Sequence, residues 1–530
     1  MIATRAILGA LLLTCAVATN ASAQAWSPEA GRGRFRNPII FADYSDPDVI
    51  RVGDDYFMTA SSFAAVPGLP ILHSRDLVHW RIVNHAIRRL DPAFDKPQHG
   101  NGVWAPSIRH HDGTFYIYYG DPDRGIFMVR TRNVLGRWDA PVLVKAAKGW
   151  IDPCPLWDDD GSAWLVHAFA NSRAGIKSVL HVNRLSPDGT SVLDEGTLVF
   201  DGHAHHPTIE GPKFYKRAGW YYIFAPAGGV STGWQTVLRA RHPLGPYEDR
   251  VVMAQGTSPV NGPHQGGWVS LRNGDDWFVH FQDRDAYGRV VHLQPMRWRT
   301  DGWPVIGADP DGDGVGEPEL ASLLPRTGVR THGGVPQTSD EFTARTLGLQ
   351  WQWEGNDQPA WYSLTAHPGS MRLYPQPLPS DTASLWVMPS LLLQKLPAPV
   401  FTATTSVTLA AEGDVSAGLV MFGMDYAYVA VRRRAGVTEL VQSRAIGADK
   451  GARERDGIAV RVAGRTALLR VTVSDGASCQ FSYRVDGHAW VNVGMPFVAQ
   501  KGRWVGAKVG LFAIGPRDGA PADFAYFRVR

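Results

Sequence analysis

Three acidic residues far apart in the chain share one setting: Asp46 in YSDPDVI, Asp152 in GWIDPCPLW and Glu210 in TIEGPKF. Each leads into a run that reads as a buried strand, where inward positions are normally apolar. A carboxylate there costs free energy unless a partner or a function offsets it. Clustered carboxylates split their proton affinities, so one is held protonated while another stays ionised. That is the equipment for cleaving a glycosidic bond, in which one carboxyl protonates the leaving oxygen and another activates water or attacks the sugar. Calcium ligation by the three acids is the plainer alternative, and an Asp-Pro step taken alone is an ordinary turn signal.

Something must bring the three together. Five segments repeat one pattern, a polar or glycine turn followed by an aromatic-rich strand: VGDDYFMTA, HHDGTFYIYYG, DDDGSAWLVHA, KRAGWYYIFAP and RNGDDWFVHF. A second alternating strand follows most of them, as in PILHSRDLVHW, GIFMVRTRNVLGRW and SVLHVNRLSPDG. Their spacing of about 45 to 60 residues is that of propeller blades, so the chain reads as a five-bladed β-propeller, with a β-sandwich as the alternative. Ten to thirteen residues before the aromatic of each turn motif stand Asp46, Trp104, Asp152, Glu210 and His264. Rotation about a common axis would make these five side chains converge, with Trp104 offering an apolar face to a sugar ring.

The 530 residues carry 53 Lys plus Arg against 50 Asp plus Glu, a net charge of +3. This balance gives no footprint for nucleic acid or an anionic membrane. The 19 Trp, 16 Tyr and 21 Phe, with 56 Gly and 37 Pro, instead describe a turn-rich β protein with aromatic surfaces. The first residues, MIATRAILGALLLTCAVATNASAQ, read as a signal peptide cut after Ala23, which implies a secreted or periplasmic protein. No later run is apolar enough for a membrane span. Cys154 and Cys479 then remain, in different domains, so no disulfide is expected.

The run GADPDGDGVGEPE places Asp309, Asp311, Asp313 and Gly314 at calcium-loop positions 1, 3, 5 and 6, but position 12 is Leu320 rather than Glu. It reads as a polar connector. From about Ser339, alternating runs such as SLWVMPS, VFTATTSVTL, SAGLVMFGM, YAYVAVRRR, TALLRVTVS, CQFSYRVDG and KVGLFAIG describe a β-sandwich. The boundaries are residues 1–23 for the signal, 34–325 for the propeller and 336–530 for the sandwich.

NPIIFADYSDPDVIRVGDDYFMTASSF, PGLPILHSRDLVHW, GVWAPSIRHHDGTFYIYY, DPCPLWDDDGSAWLVHA, IEGPKFYK and GPHQGGW together resemble glycoside hydrolase family 43, from about Asn37 to Pro304. DEFTARTLGLQWQWEGND and ADFAYFRVR resemble the concanavalin-like sandwich appended to many β-xylosidases of that family. The resemblance implies inversion at the anomeric carbon, with Asp46 as general base, Glu210 as general acid and Asp152 raising and orienting the acid. Inversion needs base and acid roughly 6.5–9.5 Å apart. It further implies that Arg289 reaches the pocket, that Ser62, Phe63, Trp104 and Phe169 shape the sugar subsite, and that His264 meets an axial Ca2+ through water. In such enzymes the sandwich lends a loop that closes the pocket for exo action, and Glu341 and Asp523 are candidate calcium ligands there, or simply turn carboxylates.

Two departures bear on specificity. Ile151 stands where many family xylosidases carry Phe, and FAPAGG at 224–229 lacks their Glu. The expectation is therefore an exo-acting inverting hydrolase, needing no organic cofactor, that releases terminal α-L-arabinofuranosyl or β-D-xylosyl residues from hemicellulose-derived oligosaccharides. An endo-arabinanase and a non-catalytic carbohydrate-binding propeller are the competing readings.

Overall fold

The computed structural model describes residues 24–329, 334–379, 383–485 and 487–530. The expected signal segment lies outside them. Each polar turn quoted above closes the hairpin between the first two strands of a four-stranded antiparallel sheet. The five sheets span residues 48–87, 104–146, 150–201, 213–253 and 264–306, and in each the strands lie side by side in chain order. Glycines at left-handed positions stand in all five hairpin turns, among them Gly53 at φ 66° and Gly219 at φ 73°.

The first strands are Asp48–Val52, Trp104–His111, Trp150–Trp157, Lys213–Arg217 and His264–Ser270. The first four pack in succession, and the fifth packs back against the first. That is the cyclic order expected of five blades. A polar network ties this inner ring together. The Lys213 ammonium, fully buried, donates to the Pro106 carbonyl and to Ser107 Oγ, both at 2.8 Å. Arg109 donates to Asp48 at 2.7 Å and to Cys154 Sγ at 2.8 Å while its guanidinium lies 5.1 Å from the centre of the Tyr215 ring. Four sheets are joined by these two cations. Cys154 and Cys479 are both buried free thiols, as expected.

The fourth strand of each sheet has no counterpart in the sequence reading. Val142–Ala146 and Thr197–Asp201 are mostly exposed, so neither face imposes an alternating pattern.

The second domain is a pair of packed antiparallel sheets of seven and eight strands enclosing a continuous apolar core. One expected strand is corrected. SLWVMPS forms the 3-10 turn Leu385–Val387, because Ser384 Oγ accepts from Trp386 N at 3.2 Å and Tyr426 Oη accepts from Leu385 N at 2.9 Å. These bonds take the amides that a ladder would need. The strands Val437–Ala445 and Arg455–Arg461 were not anticipated. Glu341 and Asp523, offered above as calcium ligands, are each forked by an arginine instead. Arg528 holds Glu341 at 2.7 and 2.8 Å, and Arg372 holds Asp523 at 2.7 and 2.8 Å.

The two domains share backbone pairing and a core. Val66 pairs with Trp353, Ala507 N donates to the Ala286 carbonyl at 2.7 Å, and Gly506 N donates to Asp43 at 2.9 Å. Phe41, Tyr287 and Val290 of the first domain belong to the same apolar cluster as the sandwich interior. This interface fixes a sandwich loop, residues 499–507, over one end of the five-sheet ring.

Candidate active site

Four of the five inner strands begin with an X-Pro step: Asp46-Pro47, Ala105-Pro106, Asp152-Pro153 and Gly211-Pro212. The residue before each proline is left-handed, with φ of 55°, 23°, 57° and 58°, and Gln265 takes the same role in the fifth at 36°. In the second, third and fifth sheets a β-bulge sits at this point. A bulge re-aims side chains, and non-glycine residues held at positive φ store about 1–3 kcal/mol each, a pattern that clusters at functional sites.

This geometry corrects the assumed register. The repeated station is occupied by Asp46, Ala105, Asp152, Gly211 and Gln265, so Trp104, Glu210 and His264 stand one residue ahead of it. The proline steps carried that signal in the sequence. Both positions face inward in the second and third sheets, since Trp104 with Ala105 and Ile151 with Asp152 line one pocket.

That pocket, open to solvent at its mouth, brings together Asp46, Asp152 and Glu210 with Phe63, Trp104 and Arg289. Asp46 is buried and accepts hydrogen bonds from Ser61 Oγ at 2.5 Å, Ser45 Oγ at 3.0 Å and Arg289 Nη1 at 3.0 Å. Three donors on one carboxyl suit an acceptor-only carboxylate. Arg289 thus grips Asp46 and Ser45 rather than Glu210.

Burial raises the Asp152 carboxyl above its usual range, with the Gly211 amide at 2.7 Å opposing and the Asp46 charge adding to the rise. Glu210 is pushed up to about 8, first by desolvation and then by the charge of Asp152. Its side chain keeps 34% of its surface open. The carboxyl is therefore not sealed; the enclosing pocket walls disfavour its charged form. The Glu210 amide donates to the Pro226 carbonyl at 3.1 Å, which ties the acid to the FAPAGG segment.

His264 is buried beneath Glu210, Nε2 standing 3.6 Å from Oε1, and both ring nitrogens lack a hydrogen-bond partner. Burial lowers it to about 3, so the ring is neutral. Unpartnered nitrogens fit contact with a hydrated ion. Among the described residues the cluster of metal-ligand spacing lies elsewhere, at Asp309, Asp311 and Asp313 in the connector, where Arg297 holds Asp309 at 2.8 Å.

Two expected subsite residues lie elsewhere. Ser62 Oγ accepts from Leu69 N at 3.1 Å and lines a separate interdomain cavity behind Phe63. Phe169 packs edge-on against Trp150 and His181. The residues missed are Val230, Gln265 and above all Trp504, which reaches in from the sandwich loop and meets Trp104 edge-to-face at 6.2 Å. No local pattern around Trp504 marks it; only the interface brings it there.

Comparison with known proteins agrees with this geometry. Residues 35–304 match the model for glycosyl hydrolases family 43, and residues 339–530 match the β-xylosidase C-terminal concanavalin A-like domain. A putative β-xylosidase of Xylanibacter ruminicola is 41% identical over 91% of this chain and 86% of its own length. A non-reducing end α-L-arabinofuranosidase of Bacteroides ovatus is 33% identical over 64% of each chain. Among solved structures, a xylan β-1,4-xylosidase from Bacillus halodurans superposes with a TM-score of 0.81 at 26% identity, covering 93% of this chain and 99% of that one. The chain belongs to glycoside hydrolase family 43.

Proposed function

We propose that the enzyme is an exo-acting, inverting glycosidase that removes terminal β-D-xylosyl or α-L-arabinofuranosyl residues from hemicellulose-derived oligosaccharides. The meeting of Asp46, Asp152 and Glu210 in one pocket carries this reading. Asp46 accepts a proton from water as the water oxygen bonds to the anomeric carbon. Glu210, held protonated by its surroundings, gives its proton to the departing glycosidic oxygen. Asp152 acts through Glu210: its charge favours the protonated acid, and its bond to the Gly211 amide fixes the neighbouring peptide. Arg289 and the two serine hydroxyls hold Asp46 in place. Water is the only co-reactant.

The exo mode is supported by Trp504, which reaches in from the second domain and stands edge-to-face with Trp104 in the pocket wall. The pentose is supported by the curated relatives, one a putative β-xylosidase and another an arabinofuranosidase. Ile151 in the wall lets both sugars be tried, since a change of one or two groups shifts discrimination by only about 1–3 kcal/mol. The reading takes residues 1–23 as an export signal, residues 34–325 as the catalytic domain and residues 336–530 as its cover.

A panel of aryl β-D-xylosides and α-L-arabinofuranosides, followed by NMR of the first-formed sugar, tests it. The inverted anomer is expected first. Early appearance of the retained anomer overturns direct displacement, and internal cleavage of a long arabinan overturns the exo mode.

A further inference from the structure

We propose that the outward face of the eight-stranded sheet is a second carbohydrate-binding surface, selective for hemicellulose chains that carry uronate carboxylates. The strand Phe401–Leu409 alternates buried residues with half-buried Thr402, Thr404, Ser406 and Thr408, giving the face a row of hydroxyls. Register sets Arg470 and Arg528 on either side of Thr404, and Arg484 opposite Leu468. Three guanidiniums therefore share one flat patch.

Only one of them has a carboxylate among the described residues. Arg528 is forked to Glu341. Arg470 is instead neighboured by Arg484, whose like charge adds to burial in lowering its pKa, and its Nε is buried without a hydrogen-bond partner. Like charges set close on a sheet are destabilising. Both cations are held there by Trp490, with Arg470 Cζ 3.6 Å and Arg484 Cζ 5.3 Å from its ring centre. Both stacked guanidiniums stay half-exposed, and a planar guanidinium grips a carboxylate through two parallel bonds. Trp490 and Tyr526 supply flat apolar surface beside those edges, and the threonine row supplies hydroxyl partners, which together suit a sugar chain better than a bare anion.

The partner is a polysaccharide because this enzyme belongs to a family of glycosidases and its proposed substrate is released from hemicellulose. The sheet's inner face packs in the sandwich core, so the patch is separate from the catalytic pocket. Binding should thus be separable from turnover.

Full-length enzyme should be titrated with a uronate-bearing xylan and with the same polymer after its carboxyls are reduced to alcohols. The expected result is binding to the first that weakens with salt and falls about tenfold or more for the second. The Arg470→Ala/Arg484→Ala double variant should lose the preference while its kcat/KM on an aryl pentoside stays within about twofold of wild type. Should that variant unfold, Thr404→Asp provides the same test, since it sets a carboxylate between the arginines without removing them. Equal affinity for both polymers, no binding at all, or loss of self-association rather than of polysaccharide binding in the variants overturns the proposal. None of these outcomes touches the catalytic reading, which the aryl pentoside assay follows separately.

Discussion

The axis of the five-sheet domain and the core of the sandwich are both buried, yet they are built from opposite materials. The sandwich is held by a continuous cluster of aliphatic and aromatic side chains, from Phe342 and Trp351 to Phe527 and Val529. The axis holds Asp46, Asp48, Asp152, Lys213 and His264, all buried, with two of its aspartates left-handed. Apolar burial stabilises without further conditions. Buried charge is tolerated only where each group is hydrogen-bonded or neutralised, and the axis shows both solutions, Lys213, Asp46 and Asp152 by hydrogen bonds and Glu210 by raised proton affinity. The sandwich thus supplies the firm support from which Trp504 reaches out, and the ring spends stability on chemistry.

The sharpest way to break this contrast is to remove the proton donor. Glu210→Gln should lower kcat by about 10²–10⁴ on substrates with poor leaving groups, and by less on aryl glycosides whose phenol leaves unaided. Wild-type activity should also decline as pH rises through about 8, where Glu210 gives up its proton. Activity that persists undiminished at higher pH would remove Glu210 from the acid's role.

A smaller effect is expected from the other side of the pocket. Trp504→Ala should reduce kcat/KM on short xylo- or arabino-oligosaccharides by about 10- to 200-fold. The side chain is 54% exposed, so the melting temperature should hardly move. A large drop in stability would mean that Trp504 supports the interface instead of the sugar.

The smallest effect has the opposite sign. Asp152 has a higher proton affinity folded than unfolded, so between the unfolded aspartate range near 4 and its raised folded value the native state binds the extra proton. Stability contributed by this group therefore falls as pH rises through that window. Asp152→Asn should raise the melting temperature at pH 8 more than at pH 4. An equal shift at both pH values would show that the carboxyl is not the strained element.

Much of the ring was legible because its signals are local. The turn motifs around Gly53, Gly113, Gly161 and Gly219 dictate hairpins through backbone conformation alone, and the aromatic strands after them bury both faces. The outer strands Val142–Ala146 and Thr197–Asp201 carry no legible signal, since exposure relieves them of any pattern. Spacing from the aromatic of each turn places Trp104, Glu210 and His264 one residue ahead of the common station, which the proline steps at Pro47, Pro106, Pro153 and Pro212 mark. Ser62 was misplaced for a different reason: its hydroxyl is consumed in holding the Leu69 amide.

The amino-acid sequence by itself determined the repeated hairpins, the three acids at the heads of inner strands and the change to an alternating sandwich. Each of these follows from turn chemistry and hydrophobic period, which act over a few residues. Only the tertiary structure decided that Arg289 serves Asp46, that Pro226 ties down Glu210 and that Trp504 walls the pocket. Those are contacts between segments remote in the chain, and they exist because ring closure and domain docking fix distances that no local pattern encodes.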